Sequence, residues 1–307
     1  ITLSGDLYLP KNAGAAQLPA LVISGAFGAV KEQSSGLYAN QMAERGFAAL
    51  AFDPSYTGES GGEPHNSASP EMSTEDFSAA VDFIGLQKNI DRNKIGIIGI
   101  CGWGGFALNA VAVDKRVKAI IPASIDMLNL GQQFVHHWEA YGFFAPALRD
   151  YVEFNLPCRF QTPRGQELLR VVDPYAYRDR YTMPKLILNA SGDQFFVTDS
   201  WRLYYGDLPG PKWMRYTANT DHKQEEDTII KALSWIDDVL DNKTSPQITW
   251  NMEGQNTLRI VPTTPPKQVR LWQATNPNGR DFRLELLGPA WSSQILTANP
   301  DGSYSGT

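Results

Sequence analysis

The sequence predicts an α/β protein, a mostly parallel sheet covered by helices, with an inserted cap and a small all-β appendage at the carboxyl end. Three observations support this. From about residue 18 to 240, short β-branched or apolar runs alternate with helical patterns, as in sheets covered on both faces. About sixty residues separate two consecutive strand patterns, far more than a usual connection, which indicates an inserted cap. After Asp241, turn-rich segments separate runs with a period of two residues, which are typical of strands.

The strands and helices of the main sheet follow from these patterns in chain order. We predict an antiparallel edge strand over Thr2–Leu9. The further strand candidates are Leu18–Gly25, Phe47–Asp53, Ile95–Ile100, Val117–Ile125, Lys185–Ala190 and Trp213–Thr217. The helix candidates are Ala29–Arg45, Thr74–Gln87, Gly102–Asp114, Asp199–Leu208 and Gln224–Leu240. Ser73 is expected to cap the second helix, and the acidic residues after it favour the positive end of the helix dipole.

The same patterns divide the chain into four parts. Residues 1–125 and 184–244 form the two halves of the core, residues 126–183 the cap, and residues 245–307 the appendage. The strands predicted in the appendage are Gln247–Met252, Thr257–Val261, Val269–Ala274 and Phe282–Leu287. The cap is rich in aromatic residues, which we expect to pack it onto the core and in part to roof a substrate pocket. These residues are Phe134, Trp138, Tyr141, Phe143, Phe144, Tyr151, Phe154 and Phe160.

Composition and charge favour a small-molecule substrate. The 307 residues carry a formal charge of −6, which argues against nucleic acid and anionic membrane partners because both would be repelled. Apolar residues make up 42% of the chain, and no apolar run is long enough to span a membrane. With two cysteines there is no disulfide framework or four-cysteine zinc site, and the histidines lack a metal-binding spacing. We therefore expect neither a metal nor another cofactor.

The segment from Lys94 to Asn109 contains the strongest functional signal. An apolar strand runs into a glycine-rich turn and then into a helical pattern, with Cys101 at the corner. Small residues such as Gly99 and Gly102 let strand, turn and helix approach closely. The turn would expose the sulfur beside the positive end of the helix, where a thiolate is favoured. We therefore predict that Cys101 is a nucleophile; the alternative is a small buried packing residue.

A competing motif is Gly58-Glu-Ser60-Gly-Gly62, which matches the hydrolase pattern G-x-S-x-G. It follows its strand at a distance of several residues and leads into loop residues, with no helix start. We therefore interpret Ser60 as part of a polar turn and not as the nucleophile.

Chain order selects the base that would serve Cys101. His222 follows a late strand, where the order nucleophile, acid, base places the base. His65 lies in a polar loop, and His136 and His137 lie in the cap, where either could touch the substrate. We therefore predict His222 as the base.

Two aspartates compete for the acid position. Asp193 ends a buried strand pattern in a Gly-Asp turn. A carboxylate there would accept the imidazole Nδ1–H and stabilise the imidazolium. Asp199 is the rival, although it could instead cap the helix predicted after it. We favour Asp193.

An oxyanion requires two backbone donors directed at the developing charge. One is the N–H of Gly102, directly after the nucleophile. The other is expected from Ala26 or Phe27, in the loop after the first central strand. The further candidates for substrate contact are Trp103, His137 and Trp138.

Two parts of the chain resemble two different families. Residues 1 to about 115, with Asp53-Pro-Ser-Tyr-Thr-Gly-Glu-Ser60 and Gly99-Ile-Cys-Gly-Trp-Gly-Gly105, resemble dienelactone-hydrolase-like α/β-hydrolases, some of which use cysteine. From about Val117 the chain resembles the PhoPQ-activated pathogenicity-related family. The segments that carry this second resemblance are Ile125-Asp-Met-Leu-Asn, His137-Trp-Glu-Ala-Tyr-Gly, Val172-Asp-Pro-Tyr-Ala-Tyr-Arg-Asp, Gly192-Asp-Gln-Phe-Phe196 and Leu271-Trp-Gln-Ala-Thr-Asn-Pro-Asn-Gly-Arg-Asp-Phe.

Both resemblances imply an α/β-hydrolase fold with Asp193 as acid and His222 as base. Members of the second family carry a serine in a Ser-Lys-Arg-Gly-Trp elbow, whereas Cys101-Gly-Trp-Gly-Gly follows the style of the first family. The chain is therefore interpreted as a composite of the two.

We expect a hydrolase of a carboxylic ester or lactone that works through a thioester acyl-enzyme on Cys101. A peptidase or amidase with the same three residues is the closest alternative. A catalytically inactive hydrolase-fold protein that binds a partner through cap and appendage is another. The missing initiator Met and the second resemblance favour an exported protein, periplasmic or secreted, whereas a reactive thiolate would suit a cytoplasmic one.

Overall fold

The computed structural model describes residues 1–14, 17–124, 128–224, 234–243 and 246–307. Its main sheet consists of β1 (Gly5–Tyr8), β2 (Leu18–Ser24), β3 (Ala48–Phe52), β4 (Ile90–Ile100), β5 (Val117–Ala123), β6 (Lys185–Ala190) and β7 (Lys212–Thr217). The strand order is β1-β3-β2-β4-β5-β6-β7. Strand β1 pairs antiparallel with β3, and the other neighbours pair in parallel. The predicted α/β class is confirmed; of the fifth strand candidate, Ile125 lies outside the described residues.

Strand register brings three chain segments to one edge of the sheet. Ser24 pairs with Gly99, and Ile100 pairs with Ala123, so β2, β4 and β5 end side by side. The strands are parallel and buried on both faces, which explains their continuous apolar character. Loops that follow these strands therefore meet at the carboxyl edge, where open α/β sheets bind ligands.

Helices cover both faces of the sheet. They are α1 (Ser34–Ala43), α2 (Pro70–Gly85) and α3 (Gly102–Val113) before the cap, and a helical segment over residues 234–240 after it. Helices α2 and α3 bury apolar side chains in one core, and α1 and residues 234–240 do so in the other. Residues 225–233 of the last helix candidate lie outside the described part of the chain.

The start of α2 corrects the predicted cap. Ser69, not Ser73, is the N-cap, and its hydroxyl accepts a hydrogen bond from the Met72 N–H at 3.3 Å. Pro70 occupies the first helical position, which suits proline because that residue needs no helical N–H partner. Ser73 lies within the helix and is buried.

The connection between β5 and β6 is mostly helical. It contains α4 (Leu130–Tyr141), α5 (Arg149–Glu153), α6 (Leu156–Arg159) and α7 (Pro163–Val172), with 3-10 turns at Pro146–Leu148 and Pro174–Arg180. Phe134, Leu148, Phe160 and Leu169 form an apolar cluster of its own, against which Phe195 also packs. This predicted cap therefore has a core separate from the two that flank the sheet.

The predicted helix Asp199–Leu208 is wrong. Two 3-10 turns, Ser200–Leu203 and Tyr205–Asp207, occupy this stretch. Tyr204 separates them with an extended φ of −147° and is almost completely buried. Because its side chain packs into the core, the helical path is interrupted there.

The carboxyl-terminal part contains two small antiparallel sheets. Strands β8 (Ile248–Glu253), β9 (Thr257–Pro262) and β12 (Tyr304–Gly306) form one, and β10 (Val269–Gln273) and β11 (Ser292–Leu296) form the other. The strand predicted over Phe282–Leu287 is wrong, since Leu284–Leu287 form one helical turn. The apolar residues of this stretch fit the period of a strand as well as that of a helix. Gly288, with a φ of 67°, ends the helical turn.

Candidate active site

Cys101 occupies a strained corner between β4 and α3. Its φ of 56° and ψ of −130° are rare for a residue with a side chain. Its N–H donates to the Ala123 carbonyl at 2.8 Å, which holds the corner against β5. A Cβ on Gly99 would lie 2.4 Å from the Trp103 carbonyl oxygen, so only glycine lets α3 cross the end of β4 this closely.

His222 connects Cys101 with Asp193. Its Nε2 lies 3.0 Å from the Cys101 Sγ, and its Nδ1 lies 2.7 Å from Oδ2 of Asp193. The three side chains come from different loops at the carboxyl edge of the sheet. All three are at least partly buried. Side chains placed in this way can serve as a nucleophile, a base and an acid that orients the base.

The Asp193 carboxylate is held by backbone donors as well as by the imidazole. Oδ1 accepts the N–H groups of Phe195 at 2.7 Å and Phe196 at 3.2 Å, which leaves Oδ2 to His222. The Phe195 ring also packs on the imidazole, with ring centroids 4.5 Å apart. Asp193 therefore has little freedom to turn away from His222.

The rival acid, Asp199, binds another histidine. Its carboxylate lies 2.7 Å from Nε2 of His136 and also pairs with Arg202 and Arg280. Burial opposes its charge, but the hydrogen bond from His136 and the neighbouring positive charges lower the pKa of Asp199 to about 2. The structure thus brings Asp193, and not Asp199, to His222.

The His222 loop is fixed from two sides. The Ser124 hydroxyl donates to the His222 carbonyl at 2.9 Å, and the His222 N–H donates to Oε1 of Gln194 at 3.1 Å. Ser124 follows β5 and Gln194 follows Asp193, so the loop is tied to both neighbouring strand ends.

The imidazole of His222 favours its charged form. Burial acts against protonation, but the Asp193 carboxylate and the Cys101 sulfur outweigh it and raise the pKa of His222 to about 10. The proton on Nδ1 faces Asp193, so the one on Nε2 faces the sulfur.

The candidate oxyanion donors either follow Cys101 in the chain or line the same cavity. Gly102 is the first residue of α3, so helical hydrogen bonding leaves its N–H free. Ala26 and Phe27 line the same cavity as Cys101. A Cβ on Gly102 would lie 2.1 Å from the Phe27 ring, so the ring lies directly over this glycine.

Ser60 is placed away from this chemistry. Its hydroxyl donates to the Asp53 carbonyl at 2.6 Å and accepts the Ser4 N–H at 2.8 Å. The residue is 2% exposed, and these bonds tie the amino-terminal strand to the loop after β3. His65 is solvent-exposed and lies 3.6 Å from Glu63.

A cavity of about 670 Å³ lies between Cys101 and the cap. The body contributes Ala26, Phe27, Asn66, Cys101, Phe195, Phe196, Val197, Ser200 and His222 to its wall. The cap contributes Leu130, Gln133, Phe134, His137, Ala147, Leu148, Asp150, Tyr151, Phe154 and Leu156. Phe195 and Phe196 are not among the predicted site residues, although two aromatic residues just after Gly192-Asp193-Gln194 are a signal that could have identified them.

Two residues predicted to contact substrate lie outside the cavity wall. Trp138 is 54% exposed and packs on Phe144, because consecutive helical residues point about 100° apart and His137 takes the inward position. Trp103 is 4% exposed and packs against Phe77 and Phe106 in the core beneath α3. Neither indole lines the cavity.

Across the described ranges, no cluster of three His, Cys, Asp or Glu side chains is suited to hold a metal ion. In the same part of the chain, no helix has both the length and the apolar character to cross a bilayer.

The sheet topology and the elbow at Cys101 define the α/β-hydrolase fold. An α/β hydrolase from Penicillium, GrgF, superposes with a TM-score of 0.53 at 18% identity, over 79% of this chain and 99% of that one. The chain belongs to the PhoPQ-activated pathogenicity-related protein family, whose model matches residues 79–283. The model of the X-Pro dipeptidyl-peptidase (S15) family matches residues 1–151. The dienelactone-hydrolase-like resemblance stays a prediction.

Three relatives show how far the similarity extends. An uncharacterized Pseudomonas aeruginosa protein, PA2218, is 72% identical over 125 residues, 41% of this chain and 34% of the relative. Its crystal structure superposes with a TM-score of 0.59 at 38% identity, over 77% of this chain and 89% of that one. Autocrine proliferation repressor protein A of Dictyostelium discoideum is 33% identical over 249 residues, 74% of this chain and 50% of the relative. Thiohydrolase aneE of Aspergillus aculeatus is 40% identical over 121 residues, 39% of this chain and 37% of the relative. The chain thus spans between a third and a half of the length of these curated relatives.

Proposed function

We propose that the protein hydrolyses a carboxylic ester or lactone, with Cys101 as nucleophile, His222 as acid and base, and Asp193 as the acid that orients His222. The observation that carries the proposal is the position of His222, 3.0 Å from the Cys101 sulfur and 2.7 Å from the Asp193 carboxylate. The similarity to a fungal thiohydrolase, a protein named for hydrolysis, supports the same class of reaction.

Acylation begins with the Cys101 thiolate. Its sulfur forms a bond with the carbonyl carbon, and the carbonyl electron pair moves onto oxygen. The N–H of Gly102 and one from Ala26 or Phe27 would stabilise this oxyanion. When the intermediate collapses, the bond to the leaving oxygen breaks, and His222 gives it the Nε2 proton. An alcohol and a thioester on Cys101 result.

Deacylation reverses these roles. The now neutral His222 takes a proton from water, and the resulting hydroxide adds to the thioester carbonyl. Collapse of this second intermediate breaks the bond to sulfur and releases the carboxylic acid. His222 is again an imidazolium beside a thiolate, so the cycle needs no further reactant.

Alkylation and ester turnover together test the proposal. Iodoacetamide is expected to label Cys101 faster than Cys158, which is exposed but has no such partners and serves as an internal control. We expect His222→Ala to slow labelling of Cys101 at least tenfold while Cys158 is unaffected, and Cys101→Ala to abolish hydrolysis of p-nitrophenyl acetate. Equal labelling of both cysteines, or undiminished hydrolysis by Cys101→Ala, would overturn the assignment.

Amide hydrolysis is the second candidate function. The match of residues 1–151 to a dipeptidyl-peptidase family favours it. The same residues would act on a poorer leaving group. A matched pair of substrates, an acyl p-nitrophenyl ester and the corresponding p-nitroanilide, distinguishes ester hydrolysis from amide hydrolysis. Anilide turnover comparable with ester turnover would favour a peptidase or amidase.

A further inference from the structure

The cavity above Cys101 offers an apolar surface and no free positive charge. Phe134 and Leu148 from the cap and Phe195 and Val197 from the body line it. No Lys or Arg side chain is among the described residues that line the wall. The carboxylate of Asp150 lies at the exposed rim and would repel an anion.

The two histidines of the cavity do not supply a free cation either. The imidazolium of His222 already binds Asp193 and faces the Cys101 sulfur. His137 is 3% exposed, and this burial lowers its pKa to about 4, so the ring is neutral at physiological pH. A negatively charged substrate group would therefore lose its hydration without gaining a cationic partner.

Tyr151 provides a polar group in this apolar wall. Its ring packs against Phe134, with centroids 5.9 Å apart, and no described residue hydrogen-bonds to its hydroxyl. Burial, with the neighbouring negative charges of Cys101 and Asp150, raises the pKa of Tyr151 to about 12. The neutral hydroxyl is therefore a hydrogen-bond donor near the reacting sulfur, and no described residue of the chain accepts its hydrogen bond.

We infer that this cavity binds an uncharged, mainly apolar substrate group that carries one hydrogen-bond acceptor, and that the Tyr151 hydroxyl donates to this acceptor. The inference rests on the proposed ester-hydrolase function, because it names the substrate class of that site. Buried polar groups that fit only one type of partner discriminate strongly against substrates that lack it or carry a charge.

Matched p-nitrophenyl esters test the charge requirement. The hexanoate and the half-ester of adipic acid have the same acyl length, but the second ends in a carboxylate. We expect kcat/KM for the hexanoate to exceed that for the adipate half-ester at least 100-fold. Asp150→Asn should leave most of this ratio, because the apolar wall and not the rim charge causes it. Phe154→Lys, at a lining residue that is 69% exposed, should raise adipate turnover at least tenfold.

Tyr151→Phe tests the hydrogen bond. The 4-oxohexanoate and 5-oxohexanoate esters add a neutral acceptor to the hexanoate chain. We expect Tyr151→Phe to lower kcat/KM at least tenfold more for one of these keto esters than for the hexanoate, mainly through KM. An equal effect on keto and plain esters would overturn the role of Tyr151.

The acetate ester separates this inference from the proposed function. Acetate does not fill the cavity, so its hydrolysis reports on Cys101 and His222 alone. Acetate turnover with equal rates for hexanoate and adipate would overturn the substrate class but keep the proposed function. Loss of turnover for every ester would overturn the proposed function and, with it, the inference.

Discussion

The backbone N–H of Leu284 donates to the carbonyl oxygen of Gly192 at 3.0 Å. The carboxyl-terminal appendage is therefore hydrogen-bonded to the residue that precedes Asp193. The N–H of Gly192 in turn donates to the Thr220 carbonyl at 2.9 Å, in the loop that leads to His222. The turn that positions the acid thus lies between the appendage and the loop of the base, and its conformation depends on both.

Gly192→Ala should disturb this turn. An added Cβ would lie 2.7 Å from the Leu284 Cβ and 2.9 Å from the Thr220 carbonyl oxygen, so at least one of the two must move. We expect kcat/KM for p-nitrophenyl acetate to fall at least tenfold, because small displacements of catalytic groups are costly. Gly206→Ala is the matched control, since its Cβ would meet nothing within 4 Å. Wild-type activity in Gly192→Ala would contradict the coupling.

Asp193→Asn should lower the pH at which kcat/KM falls on the alkaline side of the pH profile. His222 must hold its proton to release the leaving group, so activity falls as the pH rises through its pKa, which is raised to about 10. Without the Asp193 charge, the limb in kcat/KM should shift down toward about pH 6.5, the ordinary value for histidine. An unactivated alkyl ester, followed by chromatography, avoids spontaneous hydrolysis at high pH. Asp199→Asn is the control and should leave the limb in place.

His137→Phe should change the acid sensitivity of the fold. Burial lowers the pKa of His137 to about 4, so between about pH 6.5 and 4 the unfolded chain binds a proton that the folded chain does not. The wild type therefore loses stability in this window as the pH falls. Relative to the variant, the loss should reach about 3 kcal/mol at pH 4. Urea unfolding of both proteins at pH 8 and pH 4 measures it; parallel changes would contradict a neutral buried imidazole.

Ser60→Ala should affect stability and not chemistry. The change removes the acceptor of the Ser4 N–H, in a partly buried bond, and the donor to the Asp53 carbonyl, in a buried one. Such losses cost about 1 to 3 kcal/mol of unfolding free energy. We expect kcat/KM per folded molecule to stay within about twofold of the wild type. Loss of hydrolysis by a folded Ser60→Ala variant would restore Ser60 as a candidate nucleophile.

Much of the fold could be predicted because the relevant signals are local. Continuous apolar runs predicted the parallel strands, and their ends differ mainly at β4, which begins at Ile90 because that residue pairs with Leu18. The predictions failed where a tertiary contact overrides the local pattern. Burial of Tyr204 interrupts one expected helix, and Leu284, bonded to Gly192, begins a helical turn where a strand was expected.

In the candidate site, too, local signals were predictable and tertiary contacts were not. Cys101 and the glycines around it were recognisable in the sequence, because a tight turn between strand and helix requires small residues at fixed positions. Chain order indicated His222, but it left Asp193 and Asp199 open, since both lie between the same strand and the next one. The structure places one beside His222 and the other beside His136.

By itself, the sequence determined the order of the elements, the elbow at Cys101 and the chain order of its partners, because periodicity and glycine sterics act within a few residues. Tertiary structure alone decided which side chains meet. Docking of α4 onto the body turned His137 inward and Trp138 outward, and packing beneath α3 buried Trp103. These choices depend on how preformed elements pack against each other, and contacts between residues distant in the chain leave no local pattern in it.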